Sequence, residues 1–266
     1  MRLLWMFFKR DALIAMSYRT SFAVQIVGNF LVLGVCYYIG LLVGERNIPA
    51  LDNYGGSYLA FLIIGVALTD CVGVSLKTFA EQIREGQLTG SLEATLMSAV
   101  PLTLMLSYSS LWGYFMSGIR FLLYVFLGTL FFQMDMRANV GVGLLIFLLT
   151  VLSFAGLGML WAAVVMIIKR GEAVSTLGGY AIILLSGVFF PVEMLPQWMQ
   201  YLTTLVPLTH ALDAMRLALL QGYGIADLVG PLTALVAFAV GLVAGGAAAF
   251  NLAVDFVKRT GSLTQY

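Results

Sequence analysis

The sequence predicts an all-α membrane protein with six transmembrane helices, and three observations carry the prediction. Of its 266 residues, 61% are hydrophobic and only 10% charged. An ordinary soluble domain carries about 25% charge, so a water-facing surface cannot be covered here. The apolar residues gather into six runs, each long enough for a hydrocarbon core, which takes about 20 residues at about 1.5 Å each. None alternates with the two-residue period of a barrel strand, so the spans are helical. Two cysteines exclude a disulfide scaffold, and a formal net charge of +1 supplies no field for nucleic acid.

Two units are expected, residues 1–21 and 22–266. Residues 1–20 read as an amphipathic helix on the cytoplasmic membrane surface. At 100° per residue Leu3, Leu4, Phe7, Phe8, Ile14 and Tyr18 share one arc, and Arg2, Lys9, Arg10, Ser17 and Thr20 share another. Lys9, Arg10 and Asp11 interrupt the first apolar run, so no cleavable signal is expected.

The spans cover 22–44, 54–76, 102–132, 138–168, 173–192 and 228–254. Four hold no charge, the second holds only Asp70 and the third only Arg120. Ten Lys and Arg fall on one side of this arrangement and three, Arg46, Arg137 and Arg216, on the other. The positive-inside rule then predicts a multi-pass protein of the cytoplasmic (inner) membrane with both termini cytoplasmic.

Two regions are not simple spans. The inner segment 77–101 carries Arg84, Glu85 and Glu93, with Gly86 and Gly90 as breaks and Ser91 placed to cap a short helix. Leu92 and Leu96 form a stripe that an exposed loop has no use for, so a docking surface for a soluble partner is expected. The outer segment 191–222 is nearly apolar yet broken by Pro191, Pro196 and Pro207. Its pieces are too short to cross and too apolar for water, which predicts short re-entrant or interfacial helices bordering a pathway. Trp198 and Tyr201 suit the interface belt, and Asp213 and Arg216, three apart, are placed to neutralise each other.

Asp70 and Arg120 are the ionisable groups well inside spans, where charge is costly. Asp70 lies about 9 Å from the inner edge at Leu76 and Arg120 about 27 Å from Leu102, so these counts do not place the two level and leave a mutual ion pair open. Packing with hydrogen-bonded partners and a role in a pathway or gate both fit. Gly241 and Gly245 permit close helix contact, read as packing within one chain. Tyr37, Tyr38, Trp112, Tyr114 and Phe115 serve equally as path lining or as core. Cys36 and Cys71 are read as small core residues.

Taken together, Glu85-Gly86, Gly90-Ser91-Leu92-Glu93 and Pro101, then Pro191, Leu195-Pro196, Trp198, Pro207-Leu208-Thr209 and Asp213-Ala214-Met215-Arg216, resemble a known family. It is the membrane-spanning subunit of type-2 ATP-binding-cassette (ABC) exporters, the group that moves drugs, O-antigen, teichoic acid and nodulation factors. His210 stands where that family often has an aromatic residue. The resemblance implies a permease whose surface helix and inner segment contact a cytoplasmic ABC ATPase, present in two copies. It also implies a second permease copy or close homologue around the pathway, in contact with membrane lipid. ATP and Mg would sit on the ATPase. The residues bear on this independently: no phosphate-binding G-x-x-x-x-G-K-[ST] loop exists, since Lys77-Thr78 follows Leu76.

One histidine and two separated cysteines suit no standard zinc site, and no catalytic carboxylate pair is spaced for hydrolysis, so neither enzyme nor metal chemistry is expected of this chain. The competing reading is an ion-coupled secondary transporter or channel working through Asp70 or Glu193.

Overall fold

The computed structural model describes residues 2–17, 19–43, 49–88, 102–132, 136–168 and 171–260. Among them there are helices and turns but no strand. Helix α1 (Arg2–Ser17) leads into α2 (Arg19–Val43), and a 3₁₀ turn (Pro49–Tyr54) into α3 (Tyr58–Leu88). Helices α4 (Leu102–Phe132), α5 (Val140–Ile168) and α6 (Gly171–Leu185) follow. A second 3₁₀ turn (Val192–Met194), α7 (Gln197–Thr203), α8 (Pro207–Arg216), a π-helical turn (Leu217–Gln221) and α9 (Val229–Thr260) complete the order.

Helices α2, α3, α4, α5 and α9 are long and apolar enough to cross a membrane. The fifth predicted stretch, 173–192, is shorter than expected: α6 has 15 residues, about 22 Å against the about 30 Å of a hydrocarbon core. Gly187, in the left-handed region at φ +72°, turns the chain before Pro191. At the start of α3, Gly55 and Gly56 at φ +89° and +76° hold a turn, delaying the helix to Tyr58. At its other end α3 continues past Leu76 and through Gly86, which was expected to break it. One helical glycine costs about 1 kcal/mol relative to Ala, too little to stop a helix already propagating.

Helix α3 is the centre of the bundle. Its segment 59–68 is apolar all round, and Phe61, Leu62, Ile63, Ile64, Ala67 and Leu68 there are all buried, as a stretch without a polar face must be in a protein core. Helices α2, α4, α5, α6 and α8 pack around it. Helix α2 is equally apolar but exposes Val24, Leu31, Val35 and Leu42, a surface suited to lipid rather than water. Helices α5 and α9 form the most intimate pair. A Cβ on Gly246 would fall 2.2 Å from the Gly156 carbonyl oxygen, and one on Gly156 would fall 2.3 Å from Leu242. The close-packing glycine of α9 is therefore Gly246, with Gly241 and Gly245 facing open space.

Helix α1 packs on α4 through aromatic rings, Phe8 meeting Trp112 at 5.1 Å and Phe115 at 5.4 Å between centroids. The predicted arcs are only partly kept. Phe7 and Phe8 turn toward the bundle, but Ile14 faces outward in the company of Lys9 and Arg10.

Candidate functional site

The first polar constellation lies between α3 and α4. Arg120 donates to Asp70 Oδ2 from Nε at 2.9 Å and from Nη2 at 2.6 Å. Cys71 and Ser117 approach to 3.3 Å, and Ser75 and Tyr114 hydrogen-bond at 2.6 Å, so the ladder steps down one helix as it climbs the other. Tyr124 Oη donates to Asn29 Oδ1 at 3.1 Å, tying α2 to the same belt. The ion pair that counting along the spans left open is made in this structure. Depth counted from Leu76 misplaces Asp70, because α3 ends at Leu88. Each residue lies 18 positions from its own helix end, Leu88 or Leu102, or about 27 Å along the axis. Tyr114 is thus a buried member of this ladder, while Trp112 and Phe115 serve α1, and Tyr37 stacks on Phe132 at 4.8 Å.

The second constellation is built by the three prolines. Pro191 precedes the 3₁₀ turn, Pro196 precedes α7, and Pro207 occupies the first turn of α8. The resulting pieces have 3, 7 and 10 residues, none long enough to cross a bilayer. Trp198 and Tyr201 of α7 are exposed. His210 donates a ring N–H to the Thr204 carbonyl at 3.0 Å and lies 5.7 Å from the Phe238 ring, seating the turn between α7 and α8 on α9.

Arg216 ends α8 and is 3% exposed. Its Nε and Nη2 donate to the Phe61 carbonyl at 3.3 and 3.2 Å, and Nη2 also reaches the carbonyls of Gly187 and Val188 at 3.1 and 3.2 Å. Those last two are freed where α6 has ended, and buried carbonyls left without donors are costly. The guanidinium carbon stands 3.3 Å from the centroid of the Phe61 ring. Gly65 makes the room, since a Cβ there would lie 2.6 Å from the Val188 oxygen and 2.8 Å from Arg216 Nη2.

The expected neutralisation of Arg216 by Asp213 is not a direct ion pair. Asp213 Oδ1 accepts from Tyr54 Oη at 2.8 Å instead. Three positions along α8 put the two side chains on neighbouring bearings, but the carbonyl cluster draws the guanidinium inward, away from the carboxylate. Burial pulls Arg216 down to about 9, with Tyr54, Asp213 and Glu193 acting the other way, so it is charged at neutral pH. Burial, the Asp213 charge and the hydrogen bond to Asp213 all push the Tyr54 phenol up.

Beside this clamp lies an open cavity of about 460 Å³ that gathers Asp52, Glu193 and Asp213 with Tyr54 and Tyr223. Among the described residues no group of three or more His, Cys, Asp or Glu is disposed to hold a metal ion. A second cavity, about 330 Å³ and nearly apolar, runs between Val35 and Cys36 of α2, Leu62 and Val66 of α3, and Ile183 of α6.

Of the predicted inner segment, Arg84, Glu85 and Gly86 ride on the last turns of α3. Gly90, Ser91, Leu92, Glu93 and Leu96 lie outside the described residues. Sequence reasoning missed Tyr54, Phe61, Gly65 and Gly187 as partners of the outer segment. A lone glycine within the apolar run of α3 was the available signal for Gly65, since such a position often marks close backbone approach.

Comparison with known proteins agrees with this architecture. Residues 2–220 match the family model of the ABC-2 type transporter membrane domain. "ABC transporter G family member 20" of Dictyostelium discoideum is 34% identical over 98 residues, covering 35% of this chain and 13% of that protein. The chain therefore spans a small part of this relative. With a family match over most of its length and several helices fit to cross a bilayer, the chain is a multi-pass membrane protein belonging to the ABC-2 type transporter family.

Proposed function

We propose that this chain is the permease subunit of an ABC exporter that moves an amphipathic substrate of the drug, lipid or glycan class across the cytoplasmic membrane. ATP and Mg are held by a separate cytoplasmic ATPase in two copies, and a second permease copy or close homologue completes the pathway. The observation that carries the reading is the ABC-2 match across residues 2–220, in a sequence without a phosphate-binding loop. Both termini are cytoplasmic. Helix α6 and the turn that follows it then make the sixth passage, and the proline-broken pieces, with α7 and α8, fold back on the outer side without crossing. The segment containing Leu92 and Glu93 receives the ATPase.

The apolar cavity between α2, α3 and α6 is the natural flank of the path. It is open, apolar, and ends near Phe189, beside the turn that Arg216 clamps. Asp70 is paired with Arg120 through two hydrogen bonds, which weighs against the ion-coupled alternative through that residue. Capture of the tagged chain from native membranes tests the reading: a co-purifying ATP-hydrolysing subunit in equal copy number supports it. An active chain isolated alone contradicts it.

A further inference from the structure

The outward half of α1 mixes charge and apolar surface in a way that neither bundle packing nor water contact explains. Trp5, Met6, Leu13 and Ile14 are 63%, 64%, 58% and 51% exposed, and Lys9 and Arg10 are exposed between them. At 100° per residue these six occupy one continuous half-turn, while Phe7, Phe8, Asp11 and Ala12 occupy the other and are half-buried. Among the described side chains of that half there are two cations and no anion. Arg10 spends Nε on Asp11 at 2.8 Å and one Nη2 contact on Ser109 at 3.4 Å, leaving further N–H donors of its fork outward.

The neighbouring surface shows what faces this half. Phe8 meets Phe115 at 5.4 Å, and from Phe115 an exposed apolar stripe continues up α4 through Ile119, Leu122 and Phe126. An exposed apolar stripe on a helix fit to cross a membrane suits lipid tails. The surface of α1 at its foot therefore lies at the level of the headgroups, where apolar side chains enter the acyl boundary and cations meet phosphate.

We propose that the outward face of α1 is a binding surface for anionic phospholipid. Lys9 and Arg10 take the phosphates, and Trp5, Met6, Leu13 and Ile14 insert beside them. This rests on the orientation proposed above, with α1 at the cytoplasmic surface. Asp11 offsets part of the Arg10 charge, so the net selectivity is set chiefly by Lys9. A basic side chain near an anionic surface gives about a fivefold preference at low salt.

The test uses the full chain in mild detergent, offered equal amounts of phosphatidylglycerol and phosphatidylcholine, with retained lipids counted by native mass spectrometry. Wild type should favour phosphatidylglycerol about fivefold. Lys9→Gln with Arg10→Gln should bring the preference close to parity, Asp11→Asn should raise it, and Lys258→Gln with Arg259→Gln should leave most of it. Equal retention by wild type, or an unchanged preference in the Lys9 and Arg10 double variant, overturns the proposal. A photoreactive group at Trp5 should label lipid in reconstituted membranes. Labelling of the ATPase instead makes this face a protein contact and overturns it too. Outside-only labelling of a cysteine at Gln197 reports separately on the orientation.

Discussion

Arg120 reaches Asp70 through both Nε and Nη2, at 2.9 and 2.6 Å, from a helix that runs antiparallel to its partner and at the same distance from the shared end. The side chains are 22% and 31% exposed, so the pair is shielded but not sealed. Removing one member leaves the other charge unpaired where water is scarce. Arg120→Ala is expected to cost about 2 kcal/mol, discounted from the about 3–5 kcal/mol of a fully buried pair. Asp70→Ala in the same chain should restore part of that loss. A double-mutant cycle on thermal stability in lipid checks it, and strictly additive losses would show that the contact carries no coupling.

Arg216 holds three carbonyls from two elements, and among the described residues no other hydrogen bond reaches those of Gly187 and Val188. Arg216→Leu should cost about 3 kcal/mol or more, because several buried acceptors lose their donors together. Gly65→Ala should be destabilising in the same direction, since its methyl group would enter the space of the Val188 oxygen and the guanidinium. Tyr54→Phe, which removes one hydrogen bond to Asp213, should cost only about 1 kcal/mol. Unfolding midpoints ranked in any other order would mean that the clamp is not the dominant contact.

The proline-broken region is expected to stay on the outer side. Gln197 is exposed on α7, so a cysteine there should react with an impermeant reagent added outside intact cells and not with the same reagent added to inside-out vesicles. Reaction from the cytoplasmic side would require a different number of crossings.

Much of this fold was legible because apolar runs and prolines act locally. Helix α4 has the predicted limits, and the three prolines interrupt the chain where their missing N–H and fixed φ require it. What was not legible depends on partners distant in sequence. The level pairing of Asp70 with Arg120 hangs on where α3 ends, twelve residues beyond the apolar run at Leu88. Arg216 has its acceptors 155, 29 and 28 positions away, so spacing along α8 pointed to Asp213 instead. On α1, angular bookkeeping sorted residues into arcs, but the aromatic rings of α4 decided which arc packs.

The coupling role proposed for the inner segment gives a sharper expectation. Leu92→Asp places a charge in an apolar contact and Glu93→Arg reverses a sign at its rim, each costing several kcal/mol of association. Both variants should insert normally and bind the ATPase weakly, with transport falling further than hydrolysis. Wild-type binding and transport in both would reduce that segment to a loop.

The central claim is that nucleotide hydrolysed on a partner changes exposure of a path through this chain, and it can be tested without knowing the substrate. Val35 is exposed and lines the apolar cavity between α2, α3 and α6. With Cys36 and Cys71 replaced by Ala, Val35→Cys becomes the sole thiol of this chain. In proteoliposomes holding the complete complex, its labelling rate should change severalfold between the nucleotide-free and vanadate-trapped states and stay constant under an imposed proton or sodium gradient. A rate that follows the ion gradient and ignores ATP would contradict the account and favour an ion-coupled transporter.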